Sequence, residues 1–456
     1  MKSLAQHLSA ALTHPSDIAH RIDRQIAAAK DASGEGIRVF LGLDEGAIRT
    51  AAAASQTRYT DNAAGPLDGI TISIKDLFDV AGEVTAAGSI VLRSRPPATA
   101  DAPAVARLRA AGVIPFGRTN MTEFAYSGVG VNPHFGTPRN VWGRGTDGSG
   151  RIPGGSSSGG AVSVADGFCD AALGSDTGGS VRIPAAFNGL VGFKPTAFRV
   201  PVQGAIPLSY LHDSVGPIAN SVDCCARIDA VLAGERYAPQ SLRNLKAIRL
   251  LKPVGTLWNG LDREVQSACD AAVERLRASG VDIVEQRCEP LEAYFKALAQ
   301  PSAAHTVGRL SEATDWHERH VNVNGAGYDQ RVWKRIQQTN DTTRGEVSHA
   351  IAYRRLFGHA MHDALAGFDA IVTPTLACIA PSIQSLIDDE ALFFATNARI
   401  LRNTSWVNLM DGCAITVPCH ASGDAPVGLQ LVGRHAADPA LLGIAASLER
   451  TIRISK

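Results

Sequence analysis

Three segments of this chain could do chemistry together. A lysine closes an alternating stretch, Gly69-Ile70-Thr71-Ile72-Ser73-Ile74-Lys75-Asp76. Far downstream comes a glycine- and serine-dense run, Gly154-Gly155-Ser156-Ser157-Ser158-Gly159-Gly160. A second dense run reads Gly174-Ser175-Asp176-Thr177-Gly178-Gly179-Ser180-Val181-Arg182-Ile183-Pro184. A serine hydroxyl is a weak nucleophile at neutral pH unless a base is set against it. One segment offers the base, the others offer serines, and the glycines supply bare backbone N–H groups. That combination suits acyl transfer.

The elements that would position these groups follow from periodicity. Ile70, Ile72 and Ile74 share one face of a strand, and Thr71, Ser73 and Lys75 share the other. Residues 158–167, rich in small side chains, suit a closely packed helix, and Ala171–Gly174 a short strand before the second glycine loop. An amphipathic helix is expected over 16–31, with Ser16 as N-cap and Ile18, Ile22 and Ile26 as its stripe. Asp101 is expected to cap a helix carrying Val105 and Leu108, which Gly112 would stop. Strands are expected at 113–116, 247–251, 281–284, 369–374 and 413–418, a helix at 263–278, and mostly helix over 290–365. Strands alternating with helices imply an α/β layered fold with a mostly parallel or mixed sheet.

Composition narrows the partners. Lys plus Arg and Asp plus Glu both total 44 in 456 residues. With no single-sign field, neither nucleic acid nor a membrane surface is expected as a partner. Cys169, Cys224, Cys225, Cys269, Cys288, Cys378, Cys413 and Cys419 form no C-x-x-C pair and fit buried thiols of a reducing compartment. The first residues lack a secretory apolar core, so a cytoplasmic location is expected. No metal pattern stands out; His317 and His320, three apart on an expected helix, lack an evident third ligand.

Several short motifs overlap and compete. Gly155–Gly159 matches the G-x-S-x-G elbow, but that reading needs a late acid and histidine, and His420 and His435 follow no evident acid-bearing strand. Asp176-Thr177-Gly178 matches the aspartic-protease triplet, which needs a second copy that the chain lacks. The glycine run does not end as a Walker loop does. A glycine-rich loop serving packing alone is the plainest alternative, weakened because the lysine strand and both serine runs occur together.

Taken together, these segments resemble the amidase signature family. Gly154 through Pro184 follows its core pattern, and Gly69–Asp76, Gly117-Arg118-Thr119-Asn120-Met121-Thr122-Glu123-Phe124 and Ala425-Pro426-Val427-Gly428-Leu429-Gln430-Leu431-Val432-Gly433 are also similar. The resemblance covers nearly the whole chain and is weakest over 200–400. It implies one α/β/α layered domain over 1–456, with a mixed, mostly parallel central sheet flanked by helices. The motif core would lie at about 65–200 and a helical substrate side at about 290–365. It implies hydrolysis of a small carboxamide by a Ser-cisSer-Lys triad: Ser180 as nucleophile, Ser156 as bridging serine after a cis peptide, and Lys75 as base. Backbone amides of Thr177, Gly178, Gly179 and Ser180 would hold the oxyanion; Ser157, Ser158, Asp176 and Arg182 would support the loops. No cofactor and no metal are implied, and the assembly is left open, a homodimer included.

Burial away from carboxylates lowers a lysine from about 10.4 toward roughly 7–8, where it can act as base. Thr71 and Ser73 could offer it hydroxyls, and Asp76 would point to the opposite face. Family members also cleave esters, urea derivatives and carbamates, and one branch is the glutaminase subunit of a tRNA-dependent amidotransferase. Thr119–Phe124 and Pro138-Arg139-Asn140-Val141-Trp142 look like that branch. Against it, Asn397–Asn403, upstream of Asn408-Leu409-Met410-Asp411-Gly412, holds two arginines and no acid to receive an α-ammonium. A stand-alone amidase is therefore the expectation, and a non-catalytic binding protein that keeps the fold is its rival. Arg399 and Arg402 are expected as solvated surface residues, the alternative being contact with a substrate carboxylate. Tyr126, Phe135, Trp316, Tyr328, Trp333 and Trp406 are candidates for an acyl pocket, and His134 is expected no closer than a supporting position.

Overall fold

The computed structural model describes residues 3–145, 148–299, 311–321, 325–338 and 343–454. Among these, eleven strands form one sheet: β1 (Phe40–Gly42), β2 (Thr71–Lys75), β3 (Ile114–Thr119), β4 (Ala171–Asp176), β5 (Val191–Lys194), β6 (Ser214–Ala219), β7 (Arg249–Val254), β8 (Asp282–Arg287), β9 (Ala370–Pro374), β10 (Ala414–Pro418) and β11 (Gly428–Val432). Their spatial order is β1-β3-β2-β4-β6-β5-β10-β11-β9-β7-β8.

Period-two alternation sets the two faces of this sheet. Ala172 of β4 and Ile218 of β6 pack with Ala161 and Val164 of the helix Ser158–Ala165 and with Val181 and Ala185. Their strand neighbours Ala171, Leu173, Val215 and Ala219 face the other way, into the main core with Ile70, Ile72, Ile74 and Cys225. Both faces are therefore covered by helices, as a sheet of this size in an α/β domain requires.

The sheet is mixed, but not mostly parallel. β3–β2, β2–β4, β9–β7 and β7–β8 run parallel; β1–β3, β4–β6, β6–β5, β5–β10, β10–β11 and β11–β9 run antiparallel. The cause lies in the connections. No helix separates β5 from β6 or β10 from β11, and without a crossover adjacent strands can only return antiparallel.

Local expectations hold with shifts of one to three residues, the strands expected at 113–116, 247–251 and 281–284 each ending three residues later. The helix Asp17–Lys30 buries Ile18, Ile22 and Ile26, and Arg263–Ala278 forms over the expected span. Ser16 makes no side-chain cap. Asp101 does not cap either: Ala102 stands at the N-cap of Pro103–Ala110, while Asp101 accepts from the Ala81 amide at 2.8 Å and pairs with Arg109. Tertiary partners outcompete the local cap in this case. Within 290–365 the described parts are mostly helical, through Glu289–Leu298, Ser311–His320, Gln330–Gln337 and Arg344–Ala364. Residues 300–310, 322–324 and 339–342 of that stretch lie outside the described residues.

Candidate active site

Strands β2 and β4 are parallel neighbours, with Ile74 opposite Leu173. Their carboxyl ends leave the sheet side by side, which sets Lys75 next to Ser175. Lys75 is fully buried, and its Nζ donates to Ser156 Oγ at 2.7 Å and to Ser175 Oγ at 2.8 Å. Thr71 and Ser73 do not serve it. Thr71 Oγ1 donates to Gln25 and accepts from the Asp170 amide, and Ser73 Oγ bonds Ser163 Oγ of the packed helix at 2.9 Å. Asp76 is drawn to the opposite face by Arg118, 2.8 Å away, and by the Gly88 amide.

Ser156 comes from the loop ahead of Ser158–Ala165, and the Gly155–Ser156 peptide is cis. The loop runs against residues 127–130: the Gly155 amide donates to Gly128 O at 2.8 Å, and a Cβ on Gly155 would lie 2.7 Å from Ser127 O and 2.6 Å from Thr122 Oγ1. Only glycine allows that approach. The Ser157 amide donates to Ser180 O at 3.3 Å, which ties the two serine loops together. Ser157 Oγ reaches Ser175 O at 3.4 Å, and Ser158 Oγ reaches Asn120 O.

The second loop is wound around Asp176. Its carboxylate accepts from the amides of Gly179 at 2.7 Å and Val181 at 3.2 Å, from Asn408 Nδ2 at 3.0 Å, and from two nitrogens of Arg182 at 2.9 and 3.0 Å. Arg182 also donates to Gln430 Oε1, Asn408 Oδ1 and Thr404 O, and neither partner of the ion pair meets solvent. Burial alone would raise the Asp176 carboxyl, but the Arg182 guanidinium holds it well below the usual carboxylate range. Thr404 Oγ1 closes the loop by donating to Gly178 O at 2.6 Å.

This winding changes one expected role. The Gly179 N–H is bonded to Asp176, so it is not free to face a substrate. The amides of Thr177, Gly178 and Ser180 donate to nothing among the described hydrogen bonds. No hydrogen bond among the described residues joins the Ser180 and Ser156 hydroxyls either.

Electrostatics favour a neutral lysine. Burial pulls Lys75 down from its ordinary value to about 7, overriding the opposing charges of Asp176 and Asp213. A neutral amine on a fully buried strand end, hydrogen-bonded to two hydroxyls, can take a proton.

Ser180, Thr177 and Gly178 open into a cavity of about 350 Å³; its wall includes Tyr126, Leu208, His212, Tyr294, Phe295 and Leu401. Lys75 and Ser156 lie beneath this lining. Among the described residues the lining thus holds three serines, Ser127, Ser180 and Ser405, together with Thr177 and Gly178, while Lys75 stays buried. The family model Amidase matches residues 24–442.

The chain belongs to the amidase signature family. It is 34% identical over 422 residues to a 2-amino-5-chloromuconic acid deaminase of Comamonas testosteroni, covering 91% of this chain and 89% of that one. It is 32% identical over 470 residues to a glutamyl-tRNA(Gln) amidotransferase subunit of Symbiobacterium thermophilum, covering 96% and 93%. The crystal structure of an amidase superposes with a TM-score of 0.85 at 30% identity, over 99% of this chain and 100% of that one. Membership in this family makes the chain an amide-hydrolysing enzyme.

The amidase places its other sequence candidates unevenly. Of the six aromatics, only Tyr126 lines the cavity. Trp316 and Tyr328 pack with Phe124 and His317 outside that lining, Trp333 packs on Tyr328, Trp406 is core, and Phe135 lies under Arg93. His317 bonds the Tyr328 hydroxyl and is pushed by burial to about 4; His320 bonds Trp316 O. No group of three metal-ligating side chains converges among the described residues. His134 bonds Glu123 at 2.9 Å. Arg399 is not a free surface residue: it pairs with Asp262 at 2.8 Å and bonds Gly260 O. Arg402 lines the cavity.

Sequence reasoning missed Ser175, Tyr294, Phe295, His212 and Arg335. For Ser175 a signal existed, since it directly follows the short strand expected over Ala171–Gly174 and opens the second glycine-serine run. The others come from segments with no motif of their own.

Proposed function

We propose that this amidase hydrolyses a small carboxamide through an acyl-enzyme on Ser180. The observation that carries the reading is the 2.7 Å hydrogen bond from buried Lys75 to Ser156, in a loop tied to Ser180 by the Ser157 amide. Neutral Lys75 takes the Ser156 proton, Ser156 takes the Ser180 proton, and Ser180 Oγ adds to the amide carbonyl. The oxyanion is received by the unpaired amides of Thr177, Gly178 and Ser180, each worth about 3–4 kcal/mol in comparable sites. The relay then runs backward: a proton passes to the leaving nitrogen, the C–N bond breaks, and the acyl group stays on Ser180. Water, activated by the same relay, adds to the acyl carbon and releases the acid. The Ser180–Ser156 hydrogen bond that this needs forms with substrate in place, as catalytic contacts commonly do.

The whole chain is read as one catalytic domain whose 290–365 region serves the substrate side. The ligand is a small amide, with no cofactor, nucleic acid or membrane in the reaction. All eight cysteines are free and buried, which supports a reducing, cytoplasmic setting.

Intact mass after exposure to a fluorophosphonate tests this. Wild type and Ser157→Ala should gain the probe mass, Ser180→Ala should not, and Lys75→Ala should gain it slowly. Labelling that follows Ser157 would assign a different nucleophile. A wild type that never labels would refute the acyl-enzyme.

One observation favours a second reading, a partner-dependent glutaminase: the 32% identity to the amidotransferase component. The cavity wall opposes it, because its lining among the described residues contains no Asp or Glu to hold the α-ammonium of glutamine. Ammonia release from glutamine by the isolated chain would reinstate it.

A further inference from the structure

Two arginines in the wall of the Ser180 cavity lack what their neighbours on the same segments have. Arg331, one helical turn before Arg335, is paired with Asp329; Arg399, just before Arg402, is paired with Asp262. Arg335 and Arg402 both line the cavity, and neither is ion-paired among the described residues. Arg335 donates to Tyr126 O and lies 5.6 Å from the centre of the Tyr126 ring. Arg402 donates through Nη1 to Asn259 O and through Nε to Asn403 Oδ1, both at 2.9 Å, and its Nη2 is buried without a partner.

A buried, unpaired guanidinium donor is costly. Among the described residues the cavity lining has no carboxylate to offset it, and burial pushes His212 down to about 4, so it is neutral near pH 7. Burial also pulls both arginines below their ordinary value; only the Tyr126 phenol opposes that shift at Arg335 and the Cys378 thiol at Arg402, with no carboxylate doing so. Arg presents a planar fork of donors suited to a carboxylate. Leu208, Tyr294, Phe295, Leu298, Leu401 and Leu409 complete the wall with apolar surface.

We infer that the preferred amide substrates carry a carboxylate, received by Arg335 and Arg402, on a small hydrocarbon body. This rests on the Ser180 acyl-enzyme reading and narrows its substrate class.

Protection of Ser180 tests it without knowledge of the substrate. The rate of labelling by a small uncharged alkyl fluorophosphonate is measured by intact mass against rising butyrate, succinate and benzoate. The shape-matched butyramide, succinamide and benzamide are run in parallel. In wild type at least one acid should protect at a tenfold or lower concentration than its amide. Arg335→Gln and Arg402→Gln, each judged against its own labelling rate without ligand, should lose that advantage, and Arg402→Lys should recover part of it. Equal protection by acids and amides, protection by neither in a protein that labels, or an acid advantage that survives both glutamine substitutions would overturn the inference. A wild type that does not label at all would instead remove the Ser180 reading, and this inference with it.

Discussion

Away from the cavity lining, in what we term the floor of the site, the polar side chains of Lys75, Ser156, Asp176 and Arg182 are buried and bonded to other parts of the chain. Around the cavity that Ser180 opens into, two polar side chains are different: among the described residues Arg335 and Arg402 are cations without a carboxylate, set among leucines and aromatics. The floor is closed on itself, and the wall is unfinished. The difference separates two tasks. A floor whose hydrogen bonds are already made can hold a base and a loop in fixed geometry for any substrate, whereas a wall with unmet donors is completed only by the right ligand. Chemistry should therefore depend on the floor and selectivity on the wall.

The largest expected effect comes from Ser180→Ala. If the floor alone carries the chemistry, turnover of an amide substrate should fall on the order of 10⁶-fold, as for other lost serine nucleophiles, with the fold unchanged by circular dichroism. Lys75→Met comes next. It keeps the buried chain and removes the base, and kcat should fall about 10³–10⁴-fold, with labelling of Ser180 slowed in parallel.

Asp176→Asn probes whether the floor is also a structural unit. The side-chain shape is kept, but Arg182 is left as a buried, uncompensated charge. Chemical denaturation should show a loss of about 3–5 kcal/mol. A loss below about 1 kcal/mol would mean that the loop is held by its amide contacts alone.

Protonation of Lys75 should set the lower limb of the pH profile. If neutral Lys75 is the active form, with its pKa at about 7, roughly a tenth of the enzyme is competent one unit below that value and roughly nine tenths one unit above it. kcat/KM measured from pH 5 to 9 should rise with pH through about 7. A profile that is flat there, or falls, would exclude Lys75 as the base.

The smallest effect should come from the wall. Phe295→Leu trims one apolar contact of the cavity. It should change the ratio of kcat/KM between a short and a long amide by about tenfold, the scale of a methylene or two in a hydrophobic pocket. The fluorophosphonate labelling rate should change less. If both shift together, floor and wall are not separable.

The floor was legible in the sequence because its groups sit in dense local motifs. Lys75, Ser156, Asp176, Ser180 and Arg182 each occur in a run whose glycines and small residues mark close backbone approach. The wall was not legible. Tyr294, Phe295 and Arg335 lie on ordinary amphipathic helices, where an aromatic or an arginine facing a cavity looks the same as one facing the core or solvent. The acyl-pocket candidates Trp316, Tyr328, Trp333 and Trp406 went to packing for the same reason.

The alternation of 70–75 and the two glycine-serine runs thus determined which residue types are available and singled out the lysine and the serine runs as one group of candidates. Tertiary structure decided three further matters. Parallel pairing of β2 with β4 chose Ser175, not Thr71 or Ser73, as the second hydroxyl on Lys75. The fold of the Asp176 loop withdrew the Gly179 amide and left those of Thr177, Gly178 and Ser180 unpaired. The approach of chain segments distant in sequence left Arg402 without the acid that Arg399 found. Each is a contest among donors and acceptors far apart along the chain, and its outcome is set by distances that a linear pattern does not contain.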